Sequence, residues 1–180
     1  MLRCAVVSAA NPSSAVLGSK SISTARRVWI FLALCALAIA VAVIVAPVAL
    51  SQGHTAIASA IYKSFSYLCH QLPERSFHLA GHQFAVCSRC TGLYAGFAFA
   101  ALALPLVRSL KRTDTPRIVW LLLSAVPLAI DFGLTYFGVW QNNHFTRVTT
   151  GGLFGAVAAI YVVPGLIELT ANVQRRLMRA

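Results

Sequence analysis

Four long apolar runs, joined by short polar connections, leave this chain few ways to fold. The hydrocarbon core of a bilayer takes roughly 17 to 25 residues of helix to cross, and every backbone polar group inside it must be satisfied within the spanning structure. Runs that meet this demand lie near residues 28–50, 86–107, 118–140 and 149–169. Of the 180 residues, 58% are hydrophobic and only 11% are charged, so the chain lacks the charged surface of a water-soluble domain. The expected fold is an all-α membrane protein of four transmembrane helices.

Basic residues set the expected orientation, because Lys and Arg accumulate on the cytoplasmic side of short loops. Eleven of the fifteen fall on one side: Arg3, Lys20, Arg26 and Arg27 before the first span, Arg108, Lys111, Arg112 and Arg117 between the second and third, and Arg175, Arg176 and Arg179 after the fourth. Lys63, Arg75, Arg89 and Arg147 are on the other. Both termini are therefore expected in the cytoplasm, N-in and C-in, with residues 51–85 forming an outer loop between the first two spans and residues 141–148 an outer turn. Residues 1–27 read as a disordered basic tail, residues 28–169 as the membrane domain and residues 170–180 as a second basic tail. The first apolar run is longer than the core of a signal peptide, which favours an uncleaved anchor. This anchoring and attraction to anionic membrane lipid account for the net charge of +11, so no nucleic-acid partner is expected. The expected location is a bacterial plasma membrane.

All five histidines, His54, His70, His78, His82 and His144, fall on the outer side, where unprotected thiols tend to oxidise. Cys69-His70 and the run Cys87-Ser88-Arg89-Cys90 gather three thiols and an imidazole there. A spacing of two residues lets Cys87 and Cys90 reach one ion about 2.3 Å from each sulfur, as in structural zinc sites, and Cys69 with His70 completes a candidate Cys3His set for zinc or another transition metal. The same sulfurs suit redox chemistry, because a helix N-terminus and neighbouring Arg89 stabilise a thiolate. A structural disulfide from Cys69 to Cys87 or Cys90 is the third reading. Thr91, where haem attachment needs His, argues against a c-type haem. Cys35 reads as a small apolar residue of the first span. Ile57, Ile61, Phe65 and Leu68 recur at helical spacing, predicting a short interfacial helix that Pro73 stops. His78 and His82, four apart, are expected on one helix face.

Asp131 is a carboxylate well inside a span, where a charge costs roughly 2.5 to 3.5 kcal/mol on insertion scales. It reads as a ligand, a proton acceptor, the partner of a buried arginine or a hydrogen-bond hub between helices. The entries to the second and fourth spans also repeat: Arg89 with Thr91-Gly92 and Gly96, then Arg147 with Thr150-Gly151 and Gly155. That pattern implies parallel halves of two spans each. Gly-x-x-x-Gly faces allow close helix packing, and each arginine beside exposed N–H groups suits an anion, a phospholipid headgroup or a quinone oxygen.

Taken together, Cys69-His70, Pro73, Arg75-Ser76, Cys87-x-Arg89-Cys90-Thr91-Gly92, Tyr94, Gly96, Asp131-x-Gly133, Asn143, Arg147, Thr150-Gly151 and Gly155 resemble a family of prokaryotic membrane proteins known as domain of unknown function 2085. The resemblance runs over residues 62–161. The family has no established activity, so it implies which residues share a site and not what the site does. The leading expectation is an outer loop pinned by a zinc-like site of Cys69, His70, Cys87 and Cys90 over a polar pocket. Arg89, Asn143 and Arg147 are the candidate cofactor-binding residues, and Asp131 and Arg147 the candidates for any catalysis. The rival is an oxidoreductase resembling the quinone-linked disulfide-forming membrane enzymes, working Cys87-x-x-Cys90 with quinone as cofactor. A third reading is an assembly protein with a disulfide-stapled loop. Helix-mediated homo-oligomers suit any of these.

Overall fold

The computed structural model describes residues 12–110 and 115–178, with side chains from residue 23 onward. Expectations resting on residues 1–11 and on the side chains of Arg3, Cys4, Lys20, Lys111, Arg112 and Arg179 lie outside the described residues. Four helices are long and apolar enough to cross a membrane: α1 (Pro12–Ser51), α3 (Ser88–Val107), α4 (Val119–Tyr136) and α5 (His144–Leu177), with a shorter α2 (Thr55–Ser66) after α1. Their long apolar side chains point outward, as in Phe31 of α1, Leu106 of α3 and Phe132 of α4. Such a surface is stable only against lipid. Cys35 lies on this outer face of α1.

Several boundaries differ from the expectation, α4 ending at Tyr136 rather than near residue 140. α1 begins at Pro12, inside the segment read as a tail, and α5 runs on through residues read as the second tail. α5 also starts at His144 rather than near residue 149. Asn143, extended at the N-cap, explains the early start: its Oδ1 accepts the Thr146 N–H at 2.9 Å, satisfying a donor that the first turn leaves open.

The centre of the bundle is the parallel crossing of α3 and α5. A Cβ on Gly92 would collide with the Val148 carbonyl, one on Gly96 with that of Gly152, one on Gly151 with that of Arg89 and one on Gly155 with that of Leu93. Each glycine therefore meets the residue three positions before its counterpart in the other helix, in both directions. The repeated entry sequences thus pack about a pseudo-two-fold axis along the helices. α1 packs on α3, and α4 on α5.

Hydrogen bonds fix the two ends of the bundle. At one end Trp29 Nε1 donates to the Ala101 carbonyl at 2.7 Å and the Tyr161 hydroxyl to that of Arg117 at 2.8 Å. Arg26, Arg27, Arg108, Arg117, Arg175 and Arg176 gather at that end by helix direction. At the opposite end the chain between α1 and α3 folds back, packing Phe65, Cys69, Ala85 and Val86 against Val43 and Ala46 of α1. The Ala85 N–H donates to the Val43 carbonyl, left free by the proline at position 47.

This loop differs from its expectation in two places. α2 ends at Ser66, well before Pro73, and Leu68 is exposed; Pro73 instead opens a 3-10 turn, Pro73–Arg75. His78 and His82 do not share a helix face. They lie in β1 (His78–Leu79) and β2 (His82–Gln83), an antiparallel hairpin in which Leu79 pairs with His82. Ala80 and Gly81 both have positive φ, the requirement of a two-residue hairpin turn. A spacing of four suits a helix face and such a hairpin alike, so the histidine interval could not decide between them.

Candidate metal centre and adjoining cavity

Cys87 is the N-cap of α3 and Cys90 sits three residues on. The N-cap and N3 positions are about one helical turn apart, which puts the two thiols on one side of the helix start. Cys69 reaches them from the end of α2, where its N–H continues the helical turn to the Phe65 carbonyl at 2.9 Å. The three sulfurs all lie within 4.8 Å of one another, and all three cysteines are free. The Cys87 N–H also donates to Cys69 Sγ at 3.2 Å. Hydrogen bonds from the Cys87 thiol and then the Cys90 thiol hold the Cys69 thiol well below its ordinary range, and backbone N–H groups of Cys87 and Gln71 add to this against the opposing effect of burial. A thiolate is thereby stabilised at Cys69.

His70 is not one of this group. Cys69 is buried and His70, its chain neighbour, is exposed, so the two side chains leave the backbone in different directions. His70 lines the cavity that the cysteines border.

The loop is held in place by Gln71, which the sequence reading did not single out. Its backbone is left-handed, with φ of 52°, and its Nε2 donates to the carbonyls of Tyr62 at 2.7 Å and Ala85 at 2.8 Å. Its own carbonyl accepts from Gln83 Nε2 at 3.2 Å, and the Tyr62 hydroxyl donates to the Gln83 carbonyl. Ser88, fully buried, ties the 3-10 turn to α3 by donating to the Arg75 carbonyl at 2.8 Å. Its single proton is then spent, so His144 Nδ1, 3.1 Å away, is the donor to Ser88 Oγ. His144 stacks on Phe77 with ring centres 5.1 Å apart. Its role here is to join α5 to the loop.

Asp131 pairs with Arg89 across α4 and α3. The same carboxylate oxygen accepts from Asn142 Nδ2 at 2.8 Å, and Asn142 Oδ1 accepts from Arg147 Nε at 2.5 Å. A chain Arg89–Asp131–Asn142–Arg147 thus links three helices at the site. Of the roles open to Asp131, arginine partner and interhelical hub are the ones observed. Asn142, not Asn143, is the network member. The pair of asparagines was the available signal, and capping of α5 consumes the second.

A cavity of about 500 Å3 lies beside the sulfurs. Cys69, Cys87 and Cys90 line it, as do the charged Arg75, Arg89 and Arg147, the polar His70, Gln71, Thr135 and Asn142, and the largely apolar Leu68, Leu72, Phe132 and Tyr136. Of the expected site residues it unites the three cysteines, His70, Arg89 and Arg147, with Asp131 reaching it through Arg89 and Asn142. Asn143 stays at the helix cap, and His54, His78 and His82 are not in its lining.

A family model described as "Predicted membrane protein (DUF2085)" matches residues 69–161, from Cys69 through α3, α4 and the start of α5. An uncharacterized protein of Methanocaldococcus jannaschii is 31% identical over 113 residues, which is 63% of this chain and 72% of that relative. An uncharacterized protein of Methanothermobacter thermautotrophicus is 40% identical over 87 residues, 48% of this chain and 77% of that relative. No solved structure matches the chain.

Proposed function

The chain belongs to the DUF2085 family of membrane proteins, and from that premise we propose that it holds a zinc-like transition-metal ion through Cys69, Cys87 and Cys90 at the outer face of the membrane. The observation that carries this reading is the convergence of three free thiols, two at the start of α3 and one from the loop after α2, to within 4.8 Å of one another. Two thiolates on one tetrahedral ion stand about 3.8 Å apart when each bond is about 2.3 Å long, so small side-chain adjustments suffice to bind. Soft sulfur donors suit zinc or a similar ion.

Three cysteines leave one coordination position for a further ligand. His70 stands beside them on the cavity, where it either supplies that ligand or leaves the position open. A closed set of four protein ligands makes a structural site, whereas an open position gives the ion Lewis acidity toward a molecule in the cavity. In both cases the ion pins the loop to α3, and the Arg89–Asp131–Asn142–Arg147 chain orients the facing wall. The cytoplasmic assignment of the arginine-rich end rests on the basic-residue rule.

Metal analysis of protein purified under reducing conditions without chelator tests the reading. About one equivalent per chain is expected, falling severalfold in each of Cys69→Ser, Cys87→Ser and Cys90→Ser. Wild-type protein without stoichiometric metal sinks it.

A further inference from the structure

Three guanidinium groups line the cavity, yet they are not equivalent. Arg89 is neutralised by Asp131 and lies over the Phe132 ring, 5.5 Å from its centre. Arg147 is only 9% exposed, and its one side-chain hydrogen bond among the described residues is the one from Nε to neutral Asn142. Arg147 lines the cavity and forms no ion pair within 4 Å among the described residues, the Asp131 carboxylate being joined to it only through Asn142. Arg75 lines the same space and is half exposed, with only a loose 3.7 Å contact to solvent-facing Glu74. A buried guanidinium without an anion is costly at a membrane boundary, and the bidentate fork of an arginine matches the oxygens of phosphate.

We propose that this cavity binds a phosphate-bearing anion, with Arg147 and Arg75 as its ligands. Two cations without close compensation suit the double charge of a phosphate monoester better than a carboxylate. The apolar side of the cavity, Leu72, Phe132 and Tyr136, continues into the outward face of α4, so a phosphate head with an attached acyl or alkyl portion fits as well as a soluble phosphate. This inference does not require the metal, since Arg147 and Arg75 are contributed by α5 and the 3-10 turn independently of the sulfurs.

Titration calorimetry of the detergent-purified full chain distinguishes the sources with three probes: glycerol 3-phosphate, dihexanoyl phosphatidic acid and dihexanoylglycerol. Binding of phosphatidic acid is expected, with none of dihexanoylglycerol. Comparable binding of glycerol 3-phosphate assigns a soluble source, and its failure assigns a lipid one; both support the phosphate site. Arg147→Lys, which keeps the charge but loses the fork, and Arg75→Gln, at an exposed position that does not threaten folding, are each expected to weaken binding by about tenfold or more. If neither phosphate probe binds, or if Arg75→Gln and Arg147→Lys both bind as wild type does, the proposal is overturned. Metal content measured on the same samples keeps this outcome separate from that of the cysteine site.

Discussion

Asp131 of α4 and Arg89 at the start of α3 form an ion pair that also carries Asn142, so one carboxylate oxygen serves two partners on different elements. Asp131 is the ion-pair partner of Arg89 among the described residues, and there the buried Nε of Arg89 has no hydrogen bond. Removing the charge by Asp131→Asn keeps the shape but leaves a largely buried guanidinium unpaired, at a cost of about 3 kcal/mol. The expected result is a clear fall in unfolding midpoint in detergent. Asp131→Asn combined with Arg89→Met is expected to recover much of the loss, because the buried charge goes with it. A single variant as stable as wild type contradicts the network.

The cysteine site makes a prediction about reactivity. With metal bound, Cys69, Cys87 and Cys90 are expected to resist alkylation by maleimide, and a chelator is expected to expose them together. Adding a quinone should not change the labelling. Cycling of Cys87 and Cys90 between free and oxidised forms on quinone addition would instead favour the disulfide-forming reading. His70→Ala sharpens the coordination: full metal content in that variant means the fourth position is open, and its loss means His70 closes the site.

The four spans were legible because hydropathy over about twenty residues is a strong signal that no local detail overrides. The glycine repeat was legible for a similar reason, since helices that pack backbone to backbone must write small residues at fixed intervals. The loop was not. There the structure is decided by single residues such as Gln71, whose amide joins Tyr62 to Ala85 over a distance that no periodicity encodes. Asn142 was missed for a related reason: it and Asn143 have the same chemistry, and only the placement of the α5 cap separates their roles. The three cysteines were expected together and converge; His70, expected with them, lines the adjoining cavity, because as the chain neighbour of buried Cys69 its side chain leaves the backbone in another direction.

The α3–α5 crossing predicts opposite signs for the same substitution. Gly155→Ala places a methyl group against the Leu93 backbone carbonyl, which cannot move without separating the helices. The expected cost is about 2 kcal/mol or more. Gly165→Ala, lower in the same helix, meets nothing within 4 Å and should be neutral or stabilising by up to about 1 kcal/mol, because alanine favours helix over glycine. Unfolding of both variants in one detergent checks the contrast. Equal effects at the two positions contradict the close approach.

Gln71 offers the most direct test of how the loop is built. Gln71→Ala removes the amide that serves the Tyr62 and Ala85 carbonyls and leaves a side chain in a left-handed backbone. Gln71→Gly removes the same amide while relieving the conformation, because glycine adopts positive φ freely. The two costs therefore separate. Both variants should speed amide exchange across the loop by about tenfold, the order expected from losing a hydrogen bond that two partly buried carbonyls need. Alanine should exceed glycine by the additional conformational strain, about 1 kcal/mol. Hydrogen exchange of the segment between α2 and α3, measured with metal bound and after chelation, then shows whether the ion and Gln71 hold the loop independently. Independent clamps add in free energy, so their increases in exchange rate multiply. A chelated wild type that exchanges no faster than the metal-bound form would show that Gln71 and the packing against α1 hold the loop without the ion.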